Sequence, residues 1–328
     1  MASLRLLTEA EVYAALTPTE RVEAMRSAFG QLARGQSILP PRTVVDAGLG
    51  QMLVMPSYLR DSGQLATKIV SVFPGNAARG LPLIQGLVVV VNAKTGQPEA
   101  ILDAGALTAL RTAAASALAT DLLARSDADT LALLGAGVEG RAHLEVISAV
   151  RPLKEVRIVS RTRCRAETLA DDFAVASGGR THAVVVDTAA EALRGAGMVV
   201  TATTSPVPLF DGNLVEPGTH INAVGAWRPE TRELDSALMQ RATIVVDQRQ
   251  AAWEEAGELI RARQEGLLDE QDVWAELGEI VIGTRPGRRT NQEITLFKSV
   301  GLAVQDAAMG GAIARAAEIR GLGTVIDL

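Results

Sequence analysis

A glycine-rich segment near the middle of this 328-residue chain has the spacing of a phosphate-binding turn. Residues 131–147 read LALLGAGVEGRAHLEVI, where Gly135, Gly137 and Gly140 follow an apolar run in G-x-G-x-x-G spacing. In a dinucleotide-binding unit these glycines allow the strand-to-helix turn, admit a pyrophosphate and let the helix pack on the strand. Ordinary tight turns can share this spacing, but a second strand-like run, EVRIVS, follows at 155–160. We therefore predict a βαβ unit that binds a dinucleotide phosphate at a helix N-terminus.

The residues after the second predicted strand indicate which dinucleotide is preferred. An acidic residue that binds the adenosine ribose is expected about 20 residues after the glycine motif. The chain instead reads Ser160-Arg161-Thr162-Arg163, which contains no carboxylate. Arginine and hydroxyl groups suit a 2′-phosphate, so this segment favours NADPH over NADH, although NADH stays possible. The alternative is that both arginines are merely solvated at a strand end.

Composition limits the class of protein. The chain is 48% hydrophobic and 21% charged with a net charge of −6, which is typical of a well-packed globular protein and argues against a nucleic-acid surface. Its longest apolar runs are too short to span a bilayer, and we find no secretory signal. A single cysteine, Cys164, fits a reducing cytoplasm, and the three histidines lack metal-ligand spacing, so we predict no metal.

Strand and helix signals divide the chain into two predicted domains. Strand-like runs joined by short turns at 43–105 predict a mostly antiparallel sheet, which is followed by an alanine-rich helix from about Thr112 to Ala124. Strands and helices then alternate from residue 131, which predicts a Rossmann-type, doubly wound parallel sheet of the α/β class. A small-residue helix at 299–321 is expected to return to the first domain. We therefore predict a discontinuous α+β substrate-binding and dimerisation domain at 1–113 and 304–328, and a nucleotide-binding domain at 114–303.

Several runs along the chain, in addition to the glycine motif, resemble the ornithine cyclodeaminase/mu-crystallin family. They occur in the family's order and cover nearly the whole sequence: PPR (40–42), MPSYL (55–59), ATKIVSVFP (66–74), ILDAGALTALRTAAASALAT (101–120), LLGAGVEG (133–140), HINAVGAWRPETREL (220–234), ELGEIVIG (276–283) and TLFKSVGLAVQD (295–306). The resemblance implies an NAD(P)-dependent oxidoreductase that acts on amino acids or their imines. It also implies a homodimer joined through the first domain.

The resemblance places the family's carboxylate-binding positions at Arg42, Lys68 and Arg111, which suits an imino or amino acid substrate. Lys68 lies among apolar strand residues, where burial would lower its pKa enough for proton transfer, so we assign it the catalytic role. Thr112 is predicted to be the N-cap of the helix after Arg111. The alternatives are that Lys68 protects a sheet edge, that Arg111 lies on the surface of a helix, and that Arg42 is a solvated loop residue. The cofactor-binding positions that we assign are Thr112, Gly135, Ala136, Gly137, Val138, Glu139, Ser160, Arg161, Thr162, Thr201, Ala202, Thr203, Val224 and Gly225.

Two departures from the cyclodeaminases bear on the substrate. Where those enzymes carry an aspartate after the Asn-Ala-Val-Gly-Gly stretch, this chain has Trp227 after Ala226, and no acidic residue precedes Met55-Pro56. A distal ammonium such as that of ornithine needs a carboxylate partner, so Trp227 predicts a less polar substrate. We expect NADPH-dependent reduction of a small cyclic or linear α-imino acid, as in Δ1-pyrroline-2-carboxylate or ketimine reductases. The alternatives are alanine dehydrogenase-like reductive amination, ornithine cyclodeamination and crystallin-like binding of a small ligand without catalysis.

Overall fold

The protein divides into two compact units, which are described separately. The computed structural model describes residues 3–327, apart from the side chain of residue 77. One unit runs to Arg111 and resumes at Leu302, and the other spans Thr112–Gly301.

The first unit opens with two capped helices and a run of strands. In chain order these elements are β1 (Ser3–Leu7), α1 (Glu9–Ala14), α2 (Pro18–Ala33), β2 (Ser37–Ile38), β3 (Thr43–Asp46), β4 (Gln51–Leu59), β5 (Gln64–Val72), a 3-10 helix (Pro74–Arg79), β6 (Ile84–Asn92) and β7 (Pro98–Asp103). Thr8 and Thr17 form capping boxes with Glu11 and Glu20, and Pro18 occupies the first turn of α2. Both helices therefore begin at residues whose local chemistry favours a helix N-terminus.

The alanine-rich helix α3 (Ala104–Leu123) begins eight residues before its predicted start. Asp103 caps it, because its Oδ1 accepts a hydrogen bond of 2.7 Å from the backbone N–H of Ala106. The prediction that Thr112 caps this helix is wrong, since Thr112 lies buried in its interior. The last of the predicted strand-like runs, PEAILDAG (98–105), places Asp103 within a strand, so the pattern does not identify it as the cap.

The second unit continues with alternating strands and helices: β8 (Thr130–Leu134), α4 (Val138–Val150), β9 (Glu155–Val159), α5 (Arg163–Ala176), β10 (His182–Val185), α6 (Ala189–Leu193), β11 (Met198–Thr201), a 3-10 helix (Gly212–Leu214), β12 (His220–Ala223), α7 (Ser236–Arg241), β13 (Ala242–Val246), α8 (Arg249–Glu255), α9 (Gly257–Gln264), a 3-10 helix (Glu270–Asp272), β14 (Val273–Glu276), α10 (Leu277–Val281) and β15 (Ile294–Lys298). The chain then returns to the first unit with α11 (Ala303–Arg320) and β16 (Thr324–Asp327). Helix α11 ends at Gly321, whose φ of 68° is the left-handed conformation that favours glycine.

The sheet of the first unit is mostly antiparallel, as predicted. Its strands follow the order β16-β1-β7-β6-β5-β4-β2, with β3 also paired to β4, and among the described pairs of this sheet only β1–β7 is parallel. Alternate side chains of the central strands, such as Met55, Val70 and Val88, are buried on the face against which α11 packs. The opposite face exposes Met52, Ile69 and Leu87 by 38–50%.

The sheet of the second unit confirms the predicted doubly wound α/β class. Its strands follow the order β10-β9-β8-β11-β12-β15-β13-β14, and every described pair is parallel. The carboxyl ends of all these strands therefore lie along one edge, where such sheets bind ligands. Among the helices between Ser3 and Asp327, none combines the length and hydropathy required to cross a membrane.

Candidate active site

Lys68 lies in the interior of the first unit and not at a sheet edge. Strand β5 is paired on both sides, and the Lys68 side chain points to the buried face with an exposed fraction of 3%. Its Nζ is 2.9 Å from both carboxylate oxygens of Asp306, in the first turn of α11. The sheet-edge alternative is therefore wrong, because an edge lysine would be solvated.

Arg111 shares the same carboxylate. Its Nε lies 3.4 Å from Asp306 Oδ1, and its Nη1 donates to Gln305 Oε1 at 3.2 Å. The residue is 8% exposed, so the surface-arginine alternative is wrong. Because Arg111 lies within α3, the helix N-terminus that was expected next to it is absent, and the guanidinium is the group available for an anion.

Arg42 supplies a third positive charge to this group. It is half-buried in the loop between β2 and β3, close enough for its charge to lower the pKa of Lys68. Arg42, Lys68 and Arg111 with Asp306 are called the cation cluster below. Lys68 and Arg111 carry two positive charges against the single negative charge of Asp306, so this group has surplus positive charge in a buried setting, where an anionic ligand would be held strongly.

The cation cluster shifts the protonation of Lys68. Its pKa is lowered from 10.5 to about 8, chiefly by burial and also by the charges of Arg111 and Arg42, while Asp306 opposes the shift. Lys68 is thus an ammonium at neutral pH and can release its proton more readily than an ordinary lysine.

Asp306 was missed as a site residue by the sequence reasoning, although it lies in one of the runs that carry the family resemblance. The available signal was an acidic residue in the first turn of a helix whose first three turns consist mostly of small or apolar residues. Such a residue is rarely buried unless a cation pairs with it.

We predict that Asp306→Asn lowers the pKa of Lys68 below 8, because the carboxylate that stabilises the ammonium is removed. The titration can be followed by NMR with ¹³C-labelled lysine, which gives few signals because the chain has only four lysines. The signal that disappears in Lys68→Met identifies the residue. An unchanged titration in Asp306→Asn would contradict the assigned role of the carboxylate.

The glycine motif of the second unit has the geometry that its three expected roles require. Gly135 has a φ of 118°, and a Cβ there would lie 2.3 Å from the carbonyl oxygen of Ala202. A Cβ on Gly140 would lie 1.9 Å from the oxygen of Gly135, whereas one on Gly137 would meet no atom within 4 Å. Space beside Gly137, at the N-cap of α4, is what a pyrophosphate approaching the backbone requires. Ala136, Val138 and Glu139 complete this turn.

We predict that alanine at Gly140 affects mainly the stability of the protein, whereas alanine at Gly137 affects mainly its binding of the dinucleotide. Gly140→Ala should lower the free energy of unfolding by about 1–3 kcal/mol, because the added methyl overlaps a backbone oxygen. Gly137→Ala should change stability by less than about 0.5 kcal/mol but weaken dinucleotide binding. Thermal unfolding and calorimetric binding measure the two effects. Equal stability losses in both variants would be inconsistent with this geometry.

Arg161 and Arg163 both follow β9, but their side chains have different surroundings. Arg163 pairs with Glu167 at 2.9 Å and also with Asp187. Arg161 is exposed, and no hydrogen bond or ion pair involves its side chain in the part of the chain that the structure describes. Ser160 and Thr162 flank it, and the Ser160 hydroxyl accepts from the Thr162 N–H at 3.3 Å.

The remaining assigned cofactor positions lie just after the ends of neighbouring parallel strands. Thr201 ends β11, with Ala202 and Thr203 following, while Val224 and Gly225 follow β12. Buried Glu233 accepts hydrogen bonds from both segments and was not singled out from the sequence.

Trp227 follows the same strand end as Gly225. Its ring packs against the hydrophobic core of the second unit, and the guanidinium of Arg228 lies 4.5 Å from the ring centroid. The structure thus places an aromatic surface where cyclodeaminases carry a carboxylate.

The buried histidines have structural partners. His143 bonds to the Glu139 carbonyl at 2.7 Å and Ser116 at 2.9 Å, while burial lowers the pKa of His220 to about 3 and so keeps it neutral. Within residues 3–327, no group of three or more His, Cys, Asp or Glu side chains is arranged to hold a metal ion.

Comparison with known proteins agrees with this arrangement. Residues 3–318 match the ornithine cyclodeaminase/mu-crystallin family, and the chain belongs to that family. It is 39% identical to the ketimine reductase mu-crystallin of Mus musculus over 87% of each chain.

Two solved structures are similar over almost their whole length. One is the Δ1-pyrroline-2-carboxylate reductase of Thermococcus litoralis in complex with NADH and L-proline, with a TM-score of 0.93, 36% identity and coverage of 98% of this chain and 99% of that one. Another is an archaeal alanine dehydrogenase dimer with bound NAD, with a TM-score of 0.92, 33% identity and 99% coverage of both chains.

Proposed function

We propose that this protein reduces a small α-imino acid, cyclic or linear, to the corresponding amino acid with a nicotinamide cofactor. The observation that carries the proposal is the cation cluster, which combines surplus positive charge with an ammonium of lowered pKa. An imino acid offers a carboxylate for the first property and an imine nitrogen for the second. The similarity to a ketimine reductase and a pyrroline-2-carboxylate reductase supports the same chemistry.

Each residue of the cation cluster has a role in this reaction. Arg42 and Arg111 bind the substrate carboxylate, which fixes the position of the adjacent imine carbon. Lys68, directly or through a water molecule, donates a proton to the imine nitrogen and becomes a neutral amine. Asp306 holds the Lys68 ammonium at 2.9 Å and so favours the protonated form before the reaction. A bound nicotinamide supplies the hydride to the imine carbon, which completes the C–N single bond.

The glycine motif fits such a cofactor, since Gly137 leaves room for a pyrophosphate. The positions proposed to hold the cofactor are the fourteen assigned from the sequence, with Thr112 retained as an interior residue of α3. Trp227 supports a substrate without a second amine, because its ring supplies no counter-charge for a distal ammonium. Ornithine cyclodeamination is therefore disfavoured.

The requirement for ammonia distinguishes the proposed activity from reductive amination. With a preformed cyclic imine such as Δ1-pyrroline-2-carboxylate, we expect NADPH oxidation without added ammonia. Strict dependence on ammonia and a 2-oxo acid would instead favour the alanine dehydrogenase-like alternative, which the similarity to an archaeal alanine dehydrogenase keeps open. Absence of turnover across imines and oxo acids would favour a ligand-binding protein.

We predict that Arg111→Ala raises the KM for the imino acid at least about tenfold, because a charge-assisted contact to the carboxylate is lost. The affinity for NADPH should stay within about twofold, as Arg111 belongs to the first unit. Steady-state kinetics and cofactor titration measure both. Arg34→Ala, which changes an exposed arginine of the same unit, is the control. Unchanged kinetics in Arg111→Ala would remove the basis for carboxylate binding.

We further propose that the cofactor is NADPH in preference to NADH. Arg161 is exposed and without a carboxylate partner among the described residues, whereas Arg163 is engaged by Glu167 and Asp187. An exposed guanidinium next to two hydroxyl groups suits a 2′-phosphate. The two solved structures contain NADH and NAD, so this preference would be a property of the present chain.

We predict that Arg161→Ala weakens NADPH binding by about tenfold to a hundredfold, the typical effect of losing a charge-assisted hydrogen bond. NADH binding should hardly change, because NADH has no 2′-phosphate. The dissociation constants of both cofactors are measured by fluorescence titration, with Arg165→Ala on the exposed side of α5 as the control. Equal losses for both cofactors would show that Arg161 does not contact the phosphate.

We also propose that the protein forms a homodimer through the first unit. Ile69 of β5 and Leu87 of β6 are direct cross-strand partners on the exposed face of the sheet, and Met52 of β4 lies on the same face. An apolar sheet face of this kind is typical of a subunit interface. The archaeal alanine dehydrogenase is a dimer, which supports the proposal.

Light scattering at micromolar concentration should therefore give about twice the chain mass of 34.4 kDa. Leu87→Glu, which places a charge in the centre of the exposed face, should shift the population toward the monomer. The matched control is Val175→Glu on an exposed helix of the second unit. A wild-type mass near 34 kDa would refute the dimer.

A further inference from the structure

Glu233 is a buried carboxylate that joins two strand ends of the second unit. It has no exposed surface and lies in the segment between β12 and α7. Its oxygens accept hydrogen bonds from the Thr201 hydroxyl at 2.9 Å, the Thr203 N–H and hydroxyl at 2.7 Å each, and the Gly225 N–H at 2.8 Å. The carboxylate therefore fixes the backbone just after β11 and just after β12.

A third strand end is joined to the backbone of the same residue through two further ions. The Glu233 N–H donates to Glu258 Oε1 at 3.0 Å, and Glu258 Oε2 lies 3.1 Å from the ammonium of Lys298, the last residue of β15. Lys298 also donates to the carbonyl oxygen of Ala226. Strands β11, β12 and β15 are adjacent in the sheet, so three consecutive carboxyl ends are held by one buried network.

The charge state of Glu233 follows from its partners. Burial raises its pKa, and the nearby Lys298 charge and the hydrogen bonds from Thr203 and Thr201 oppose that shift. Four donors aimed at two oxygens match an ionised carboxylate, because a protonated one would present a donor of its own.

Stability alone is a weak reason for such a network. Buried ion pairs gain little over well-packed apolar side chains of the same volume, because desolvation offsets their attraction. What the network supplies is a fixed backbone geometry at the edge of the sheet. Gly225 is part of this geometry, since a Cβ there would lie 2.2 Å from the Thr203 carbonyl oxygen and 2.5 Å from Glu233 Oε1.

We infer that Glu233 is a positioning residue for the nicotinamide end of the cofactor. It holds residues 201–203 and 224–225 in the conformation that receives the nicotinamide, and it acts through them without being required to touch the cofactor. The inference rests on the proposed function, because it requires a nicotinamide cofactor. It separates the two ends of the cofactor: the glycine motif and Arg161 serve the adenosine and phosphates, whereas Glu233 organises the opposite end.

Glu233→Gln tests this division. The amide replaces one accepting oxygen with a donor, so at least one of the four hydrogen bonds becomes a donor–donor contact. We expect the Kd for NADPH to rise at least about tenfold and single-turnover imine reduction at saturating NADPH to slow at least about tenfold. The Kd for adenosine 2′,5′-bisphosphate, which lacks the nicotinamide, should stay within about twofold.

Two further variants separate positioning from stability. Asp235→Asn changes a nearby carboxylate that accepts hydrogen bonds from the N–H groups of Leu238 and Gly212. It should lower the Tm without changing the ratio of the Kd for NADPH to the Kd for adenosine 2′,5′-bisphosphate. Thr203→Val removes one hydroxyl donor to Glu233 and should shift that ratio in the same direction as Glu233→Gln, but less. If Glu233→Gln does not fold, the Kd ratio measured in Thr203→Val tests the inference instead.

The outcomes separate this inference from the proposed function. If Glu233→Gln lowers only the Tm, and the Kd ratio and the single-turnover rate stay at wild-type values in it and in Thr203→Val, the positioning role is overturned. Wild-type protein that binds NADPH but reduces no imine contradicts only the proposed function, and the Kd ratio still decides the inference. Wild-type protein that binds no nicotinamide cofactor overturns both.

Discussion

The pairing of one carboxylate with two cations organises the site of the first unit. Asp306 contacts Lys68 and Arg111, and these three residues come from a strand, a helix and a second helix that are distant in sequence. None of the three is buried favourably as an isolated ion, since each would lose most of its hydration. Together they leave a surplus positive charge, which an incoming carboxylate balances. The same contact therefore stabilises the fold locally and prepares it for an anion.

The second unit uses buried charge in a different way. Glu233, Glu258 and Lys298 satisfy one another and the strand ends, and the four hydrogen bonds to Glu233 are all supplied from within the protein. Such a closed network restricts conformation, because any movement of a strand end leaves a buried donor or acceptor without a partner. The cation cluster is open to a ligand, whereas this network is closed.

Sequence patterns predicted the elements that depend on local chemistry. The glycine spacing and the alternation of strands and helices after residue 131 were sufficient for the doubly wound sheet of the second unit. The apolar run around Lys68 was sufficient to place Lys68 in a strand of the first unit. The strands that the sequence predicts in the second unit lie at 131–135, 155–160, 182–187, 197–203, 219–224 and 243–247. Strands β14 and β15 are not among them, because runs of four and five residues flanked by polar segments have no distinctive periodicity. Asp306 and Glu233 were missed as site residues for another reason. Their roles depend on partners 238 and 32 residues away, which no local pattern reveals.

Strand β5 carries Lys68 and Ile69 as neighbours with opposite directions. Lys68 faces Asp306 in the interior, and Ile69 lies on the exposed face beside Leu87. Because side chains alternate along a strand, inserting or deleting one residue in β5 would exchange these directions. An ammonium would then lie on the apolar outer surface, and an isoleucine would confront a buried carboxylate. The register of this strand is thus constrained from both faces of the sheet at once, so a change in its length disturbs the interior and the outer surface together.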